Sequence, residues 1–171
     1  TSALIQALDK VKSGNSNYSI VSVADKRKAR AASPQELDFG DASVALSVDS
    51  DNLIAKYINS SSLSIDFIDH FRQPGEEFDY NWEERWIRDE GFLKIVPKAI
   101  NDLFDKTNID GSKIDHFIIP SVFPRVDQMI AKKCGIDPDK VVNNMALTVG
   151  NSGSAHALLM LASVLETAKP G

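Results

Sequence analysis

Apolar positions along the chain fall into two periodicities that take turns. At helical spacing they run through 1–12, with Ala3, Leu4, Ala7, Leu8 and Val11 on one stripe, and through "FLKIVPKAINDLFDKT", "RVDQMIAKKCGI" and residues 151–168. Pro97 either kinks the second of these helices or marks a break near its start, and Gly135 is placed to close the third at the position after its cap. Between them lie short β-branched runs. "YSIVSVA" (18–24) and "ASVALSV" (42–48) read as buried strands, and "NLIAKYINSSS" as an edge or returning strand. "HFIIP" reads as a strand, and "DKVVNN" as a short one. Residues 60–90 break the alternation with "FIDHFRQPGEEFDYNWEERWIRDE", a long and partly helical connection. Helix and strand in turn predict an α/β layered fold, divided as 1–59, an irregular connection over 60–90, and 91–171. The order of elements in 91–171 suits a half-domain of a larger sheet. No N-cap precedes the first helix, and "ETAKPG" is a helix stop leading toward a further strand, so both ends read as cut.

Composition narrows the function classes more than the fold. The 171 residues are 43% hydrophobic and 25% charged, enough apolar material for one real core. A net charge of −5 argues against a general binder of nucleic acid or of membrane surfaces, each of which favours the opposite sign. The single cysteine, Cys134, has no intrachain partner. No apolar run approaches the roughly 20 residues of a membrane span and no signal peptide is visible, so a cytoplasmic protein is expected. His70 and His116 have no metal-ligand spacing with the cysteine, so no metal site is expected, and Cys134 reads as a buried, inert thiol. Trp82 and Trp86, interleaved with Arg85 and Arg88, line a ligand tunnel or form a satellite core.

The stretch "VGNSGSAHALLMLA" (149–162) carries the most chemistry. Gly150 and Gly153 allow close backbone approach, and Asn151 stands at or near a helix N-terminus. There the unpaired N–H groups and partial positive charge suit a carbonyl or anionic ligand. The plainer reading is that Asn151 or Ser152 caps the helix while the glycines let it pack tightly.

Several motifs together resemble one family. Residues 92–170 resemble the C-terminal half of the ketoacyl-ACP synthase III and hydroxymethylglutaryl-CoA synthase group of the thiolase superfamily. A helix, a strand leading to "IPSVFPR", a helix ending in "AKKCG" and a "GN" loop opening a buried helix come in the family order. "TSALIQALDKVKSGNSNYSIVSVADKR" resembles the helix after that family's nucleophilic cysteine and its following strand, and "FGDASVALSV" resembles its "fGDGAgAvll". "WEERWIRDEGF" and "GNSGSAHALLMLA" are similar to hydroxymethylglutaryl-CoA synthase-like proteins that work with zinc-ribbon/OB-fold partners.

The resemblance implies a thiolase-like layered α/β/α/β/α fold, incomplete here: the end of the first half plus most of the second. It implies a condensing acyltransferase that works through an acyl-cysteine supplied outside this chain, on an acyl-CoA or acyl-carrier thioester. It implies a homodimer, and no cofactor beyond the coenzyme A thioester that is the substrate. Asn151 matches the catalytic Asn of the "GN" motif, and Ser121 stands thirty residues earlier where the family has a catalytic His. A serine there supplies neither a charged donor nor a base near neutral pH. His156, after Asn151, is a candidate substitute, or a satisfied core histidine. Lys28 and Arg30 in "DKRKAR" are candidates for the phosphates of coenzyme A, or members of a solvated loop; Gly150 and Gly153 would line the substrate. The alternative is a non-catalytic homologue that binds acyl-CoA or scaffolds an active subunit.

Overall fold

The structure is a computed structural model that describes residues 2–121 and 123–169. Thr1 and the Pro170–Gly171 helix stop anticipated above lie outside the described residues. The chain divides into two compact units. One is assembled from Thr1–Arg27, Phe39–Tyr57 and Met145–Gly171, the other from Lys28–Asp38 and Ile58–Asn144.

The first unit is a two-stranded antiparallel ribbon with helices on one face. Helix α1 (Ser2–Lys12) leads to β1 (Tyr18–Asp25), and β2 (Ala42–Asp49) returns against it in full register from Tyr18 opposite Asp49 to Asp25 opposite Ala42. The strands were expected to be buried; instead burial alternates along them. Val21 and Val48 are buried and Val23, Val44 and Leu46 partly so, while Tyr18 and Ile20 on the other face are 62% and 67% exposed. Successive strand side chains point to opposite faces, and the helices cover only one of them. That inner face meets Leu4, Ala7, Leu8 and Val11 of α1 and Leu158 and Leu161 of α6 (His156–Thr167). Burial of Val21, Val48 and Leu158 contributes about 1.5–3 kcal/mol each, and the partly buried side chains around them less.

Helix α6 begins later than its composition suggests. Gly153–Ala155 form a single 3₁₀ turn and the α-helix proper starts at His156, five residues beyond Asn151. The positive φ values of Gly150 (77°) and Gly153 (54°) break the helical run that the apolar pattern implied. "NLIAKYINSSS" forms no strand among the described residues; Ile54 and Ile58 in it are 81% and 69% exposed, so no neighbour supplies the apolar cover or ladder partner a strand requires.

The second unit includes the short helix α2 (Pro34–Asp38) and has its own core. The π-helix Ile87–Phe92 runs on from α3 (Glu84–Trp86), whose first amides at Arg85 and Trp86 donate to the Glu83 carboxylate at 3.0 and 2.9 Å. Helix α4 (Val96–Thr107) has Pro97 in its first turn, so the proline marks the break and not a kink. Helix α5 (Val126–Lys133) buries Val126, Ile130 and Ala131, which cluster with Ile119, Cys134 and Ile136 and are covered by Phe92, Val96, Ile100, Phe104, Phe117 and others. Gly135 follows Cys134 at φ +69°, and the Ile136 N–H returns to the Ala131 carbonyl at 2.9 Å, closing α5 as its glycine predicts.

The strands expected at "HFIIP" and "DKVVNN" shrink to one parallel bridge between Phe117 and Val141. Phe117 N–H donates to Lys140 O at 2.8 Å and Val142 N–H to Phe117 O at 2.9 Å. The 3₁₀ turn Pro138–Lys140 abuts the bridge on one side, and Pro120, which lacks an N–H, ends the run on the other. In the connection, β3 (His70–Phe71) and β4 (Tyr80–Asn81) form a small hairpin. From it aromatic rings continue through Trp82 to Trp86, which stacks on Phe67 at 4.3 Å and 9°. These rings pack on one another at the surface, with Trp82 48% and Trp86 36% exposed.

Candidate functional site

Asn151 is held from both sides by backbone that its own sequence neighbourhood does not contain. It forms a parallel bridge with Phe39, and the Gly40 N–H donates to the Asn151 carbonyl at 3.1 Å. A β-carbon at position 40 would lie 1.7 Å from the Val149 carbonyl oxygen, so this approach of two backbones admits only glycine. The side chain is fixed as well. Gly153 N–H donates to Asn151 Oδ1 at 3.0 Å, an Asx turn that settles which end of the amide is oxygen and leaves Nδ2 as the donor end. The residue is half-buried. It therefore sits near the N-terminus of the helix, in the turn that precedes the 3₁₀ turn and α6.

The following residues are packed. Ser152 is fully buried and His156 nearly so, at 2% exposure. The Ser152 N–H donates to His156 Nδ1 at 3.2 Å, so Nδ1 accepts and a neutral ring carries its proton on Nε2; the Ser152 hydroxyl lies at the same distance from Nδ1. His156 thus fastens the loop to the helix it begins. Asp25, the last residue of β1, reaches Ser154: its Oδ2 accepts from the Ser154 N–H at 2.9 Å and the hydroxyl at 3.0 Å. The Arg27 guanidinium lies 3.6 Å from the centre of the Phe39 ring, a cation–π contact. Gly150, Asn151, Gly153 and His156 are thus brought together with Arg27, from the "DKRKAR" loop read as a candidate for coenzyme A phosphates, and with Asp25, Phe39 and Gly40, which the sequence does not assign to the site. The signals were there in the aspartate closing "VSVAD" and in "FGD".

Ser121, Lys28 and Arg30 belong to the second unit. Ser121 is 1% exposed; its hydroxyl accepts from the Phe123 N–H at 3.3 Å and its carbonyl from the Asn144 side-chain amide at 2.6 Å. Phe123 in turn meets Phe92 edge to face at 5.6 Å. Lys28 pairs with Glu77 at 2.8 Å, both groups largely exposed, and the ammonium holds the Glu77 carboxyl below its usual range. The Arg30 guanidinium stands 5.8 Å from the Phe78 ring centre. An open cavity of about 550 Å³, lined in part by Phe104, Asp110, Gly111, Cys134 and Gly135, contains none of the anticipated site residues. Burial pushes the Cys134 thiol above its ordinary value, in keeping with an inert side chain. Among the described residues no group of acidic, histidine and cysteine side chains could hold a metal, and no helix is long and apolar enough to cross a membrane.

Against known proteins the likeness is consistent across the chain. Residues 104–171 match the family model for the C-terminal region of 3-oxoacyl-[acyl-carrier-protein] synthase III. The chain is 26% identical over 170 residues to the hydroxymethylglutaryl-CoA synthase of Caldivirga maquilingensis, covering 99% of this chain and 48% of that protein. Against the enzyme of the same name from Methanosphaera stadtmanae it is 25% identical over 172 residues, covering 100% and 49%. The chain thus spans about half the length of the curated relatives it matches. Among solved structures, an HMG-CoA synthase complexed with CoA superposes with a TM-score of 0.82 at 18% identity, covering 99% of this chain and 47% of that one. The 3-oxoacyl-(acyl carrier protein) synthase III of Pseudomonas aeruginosa PAO1 gives 0.73 at 18% identity, covering 96% and 54%. The fold is thiolase-like α/β, and the chain is similar along its length to the ketoacyl synthase III and hydroxymethylglutaryl-CoA synthase group.

Proposed function

We propose that this chain contributes the asparagine half of a condensing acyltransferase, which joins a thioester-bound acyl group to a second acyl-CoA or acyl-carrier thioester. The observation that carries the reading is Asn151: its Oδ1 is committed to Gly153 N–H and its backbone carbonyl to Gly40 N–H, so Nδ2 is offered in one orientation. In such a reaction a thioester oxygen gains negative charge as the nucleophilic carbon forms. A fixed N–H donor stabilises that charge more than it stabilises the neutral ground state. The acyl-cysteine would come from outside the chain, and the coenzyme A thioester is substrate and not cofactor. Lys28 and Arg30 would serve its phosphates, Lys28 by leaving an exposed ion pair whose loss costs little. His156, committed to Ser152 through Nδ1, would act on the reaction through the loop it secures.

The test is incubation of the full-length protein with radiolabelled acetyl-CoA, followed by a second acyl thioester. A covalent adduct and a condensed product are expected. Asn151→Ala is expected to lower kcat for condensation by about 10²–10³-fold while the adduct still forms. A variant that condenses at the parent rate removes the assignment.

A second reading has its own observation. Ser121 stands where the resemblance places a catalytic His, and its hydroxyl is sealed in protein against Phe123 N–H. That favours a homologue that binds acyl-CoA or pairs with an active subunit without condensing. Saturable binding of coenzyme A in calorimetry, with no covalent adduct, would establish it.

A further inference from the structure

We propose that Asp25 is a positioning residue for Asn151, acting through the backbone of Gly153 and Ser154. The inference rests on the reading of Asn151 as the site's donor and adds the group that holds its amide in place. Asp25 ends β1 opposite Ala42, so the strand ladder fixes its backbone. It lies on the same face as Val21 and Val23, toward the packed side of the ribbon. From there its Oδ2 takes both hydrogen bonds that Ser154 donates, across 129 positions of sequence.

The same oxygen is seated against the residue before. A β-carbon at 153 would stand 2.3 Å from Asp25 Oδ2 and 3.0 Å from Arg27 Cδ, and Gly153 has φ +54°. The carboxylate therefore sets where the 153–154 backbone lies. The Gly153 N–H is the group that holds the Asn151 amide oxygen. Carboxylate, backbone and amide form one chain of contacts. The Phe39–Gly40 segment anchors the Asn151 backbone from its other side, so Asp25 governs the side chain in particular. A negative charge at this end of the 3₁₀ turn and α6 also suits the partial positive charge of the exposed amides.

The experiment uses the full-length protein with Asp25→Ala, Asp25→Asn, Asn151→Ala and the double change Asp25→Ala/Asn151→Ala. Two readouts are taken: kcat and KM for condensation, and the NMR signals and hydrogen exchange of the Asn151 side-chain amide. Asp25→Ala is expected to lower kcat by about tenfold to a hundredfold with KM changed less than about twofold. It should also shift the Asn151 amide signals and speed their exchange. Asp25→Asn, which keeps an acceptor oxygen, should recover most of both. In the Asn151→Ala background Asp25→Ala should cost nothing more.

The proposal is overturned if the Asn151 amide signals do not move in Asp25→Ala, or if the loss in kcat is the same with and without Asn151. Should Asp25→Ala not fold, Ser154→Ala removes one of the two bonds, and a smaller shift of the same amide is expected; no shift is again a refutation. If the parent protein condenses nothing, the acyltransfer reading fails while the NMR comparison still decides whether Asp25 positions Asn151.

Discussion

A methyl group at position 40 would have to occupy space 1.7 Å from the Val149 carbonyl oxygen, and backbone on both sides leaves it nowhere to go. Gly40→Ala is therefore expected to destabilise the fold by about 3 kcal/mol or more, read as a lowered denaturation midpoint at unchanged slope. The loss should fall on the Asn151 turn first, because the Gly40 N–H is the donor to the Asn151 carbonyl. At this scale the setting of Asn151, an asparagine between glycines ahead of an apolar helix, fits a plain helix cap as well as a ligand site, and only the family resemblance singles it out. Its supports were not legible. Asp25 and Gly40 stand more than a hundred positions earlier, and only a folded chain brings a strand end and a turn onto residue 151. Local pattern reports on neighbours within a few turns and is silent about contacts closed by long loops. The start of α6, expected at residue 151, lies at His156 for a related reason: apolar spacing marks where a helix is covered, while two positive-φ glycines decide where it starts.

Helices and strands differ in how much of their support is local. Helix α5 carries its stripe and its glycine stop within twelve residues, and both appear where the sequence puts them. Its two features make separable contributions. Ile130→Ala, at a fully buried position, is expected to cost about 2–5 kcal/mol, and Gly135→Ala, at φ +69° with open space around it, about 1 kcal/mol. Denaturant titration of both variants checks the ranking; equal losses would mean that the stop holds the element as much as the packing does. The strands β1 and β2 were legible as strands, since a β-branched run of eight residues needs little context. Which faces they bury was not, because that depends on what covers them. The runs at 116–120 and 139–144 have the composition of strands but find a single bridge, cut short by prolines whose effect depends on where the partner lies.

For the molecule as a whole, several exposed or half-buried carboxyls share a direction of shift. Asp69 beside His70, Asp89 beside Arg88, Asp102 beside Lys106 and Ser61, and Asp110 beside Ser112 are all held below the ordinary carboxylate value by the hydrogen bonds they accept. A native value below the unfolded one means that the stabilisation is complete above the unfolded carboxylate range near pH 4, and disappears as pH falls through the lowered native values. Unfolding midpoints are therefore expected to be flat from neutral pH down to about 5 and to drop below about pH 4. Added salt should reduce the drop, since exposed pairs are screened.

The first unit is written in three instalments, and the last of them supplies Leu158 and Leu161 to the inner face of the ribbon. During synthesis the ribbon leaves the ribosome long before α6 is made. At about 5–20 residues per second, the hundred-odd residues between them keep Val21, Val23, Val44 and Leu46 without that cover for several seconds. A nascent chain stalled after residue 144 should consequently stay bound to folding helpers, and one stalled far enough along to free α6 should let them go.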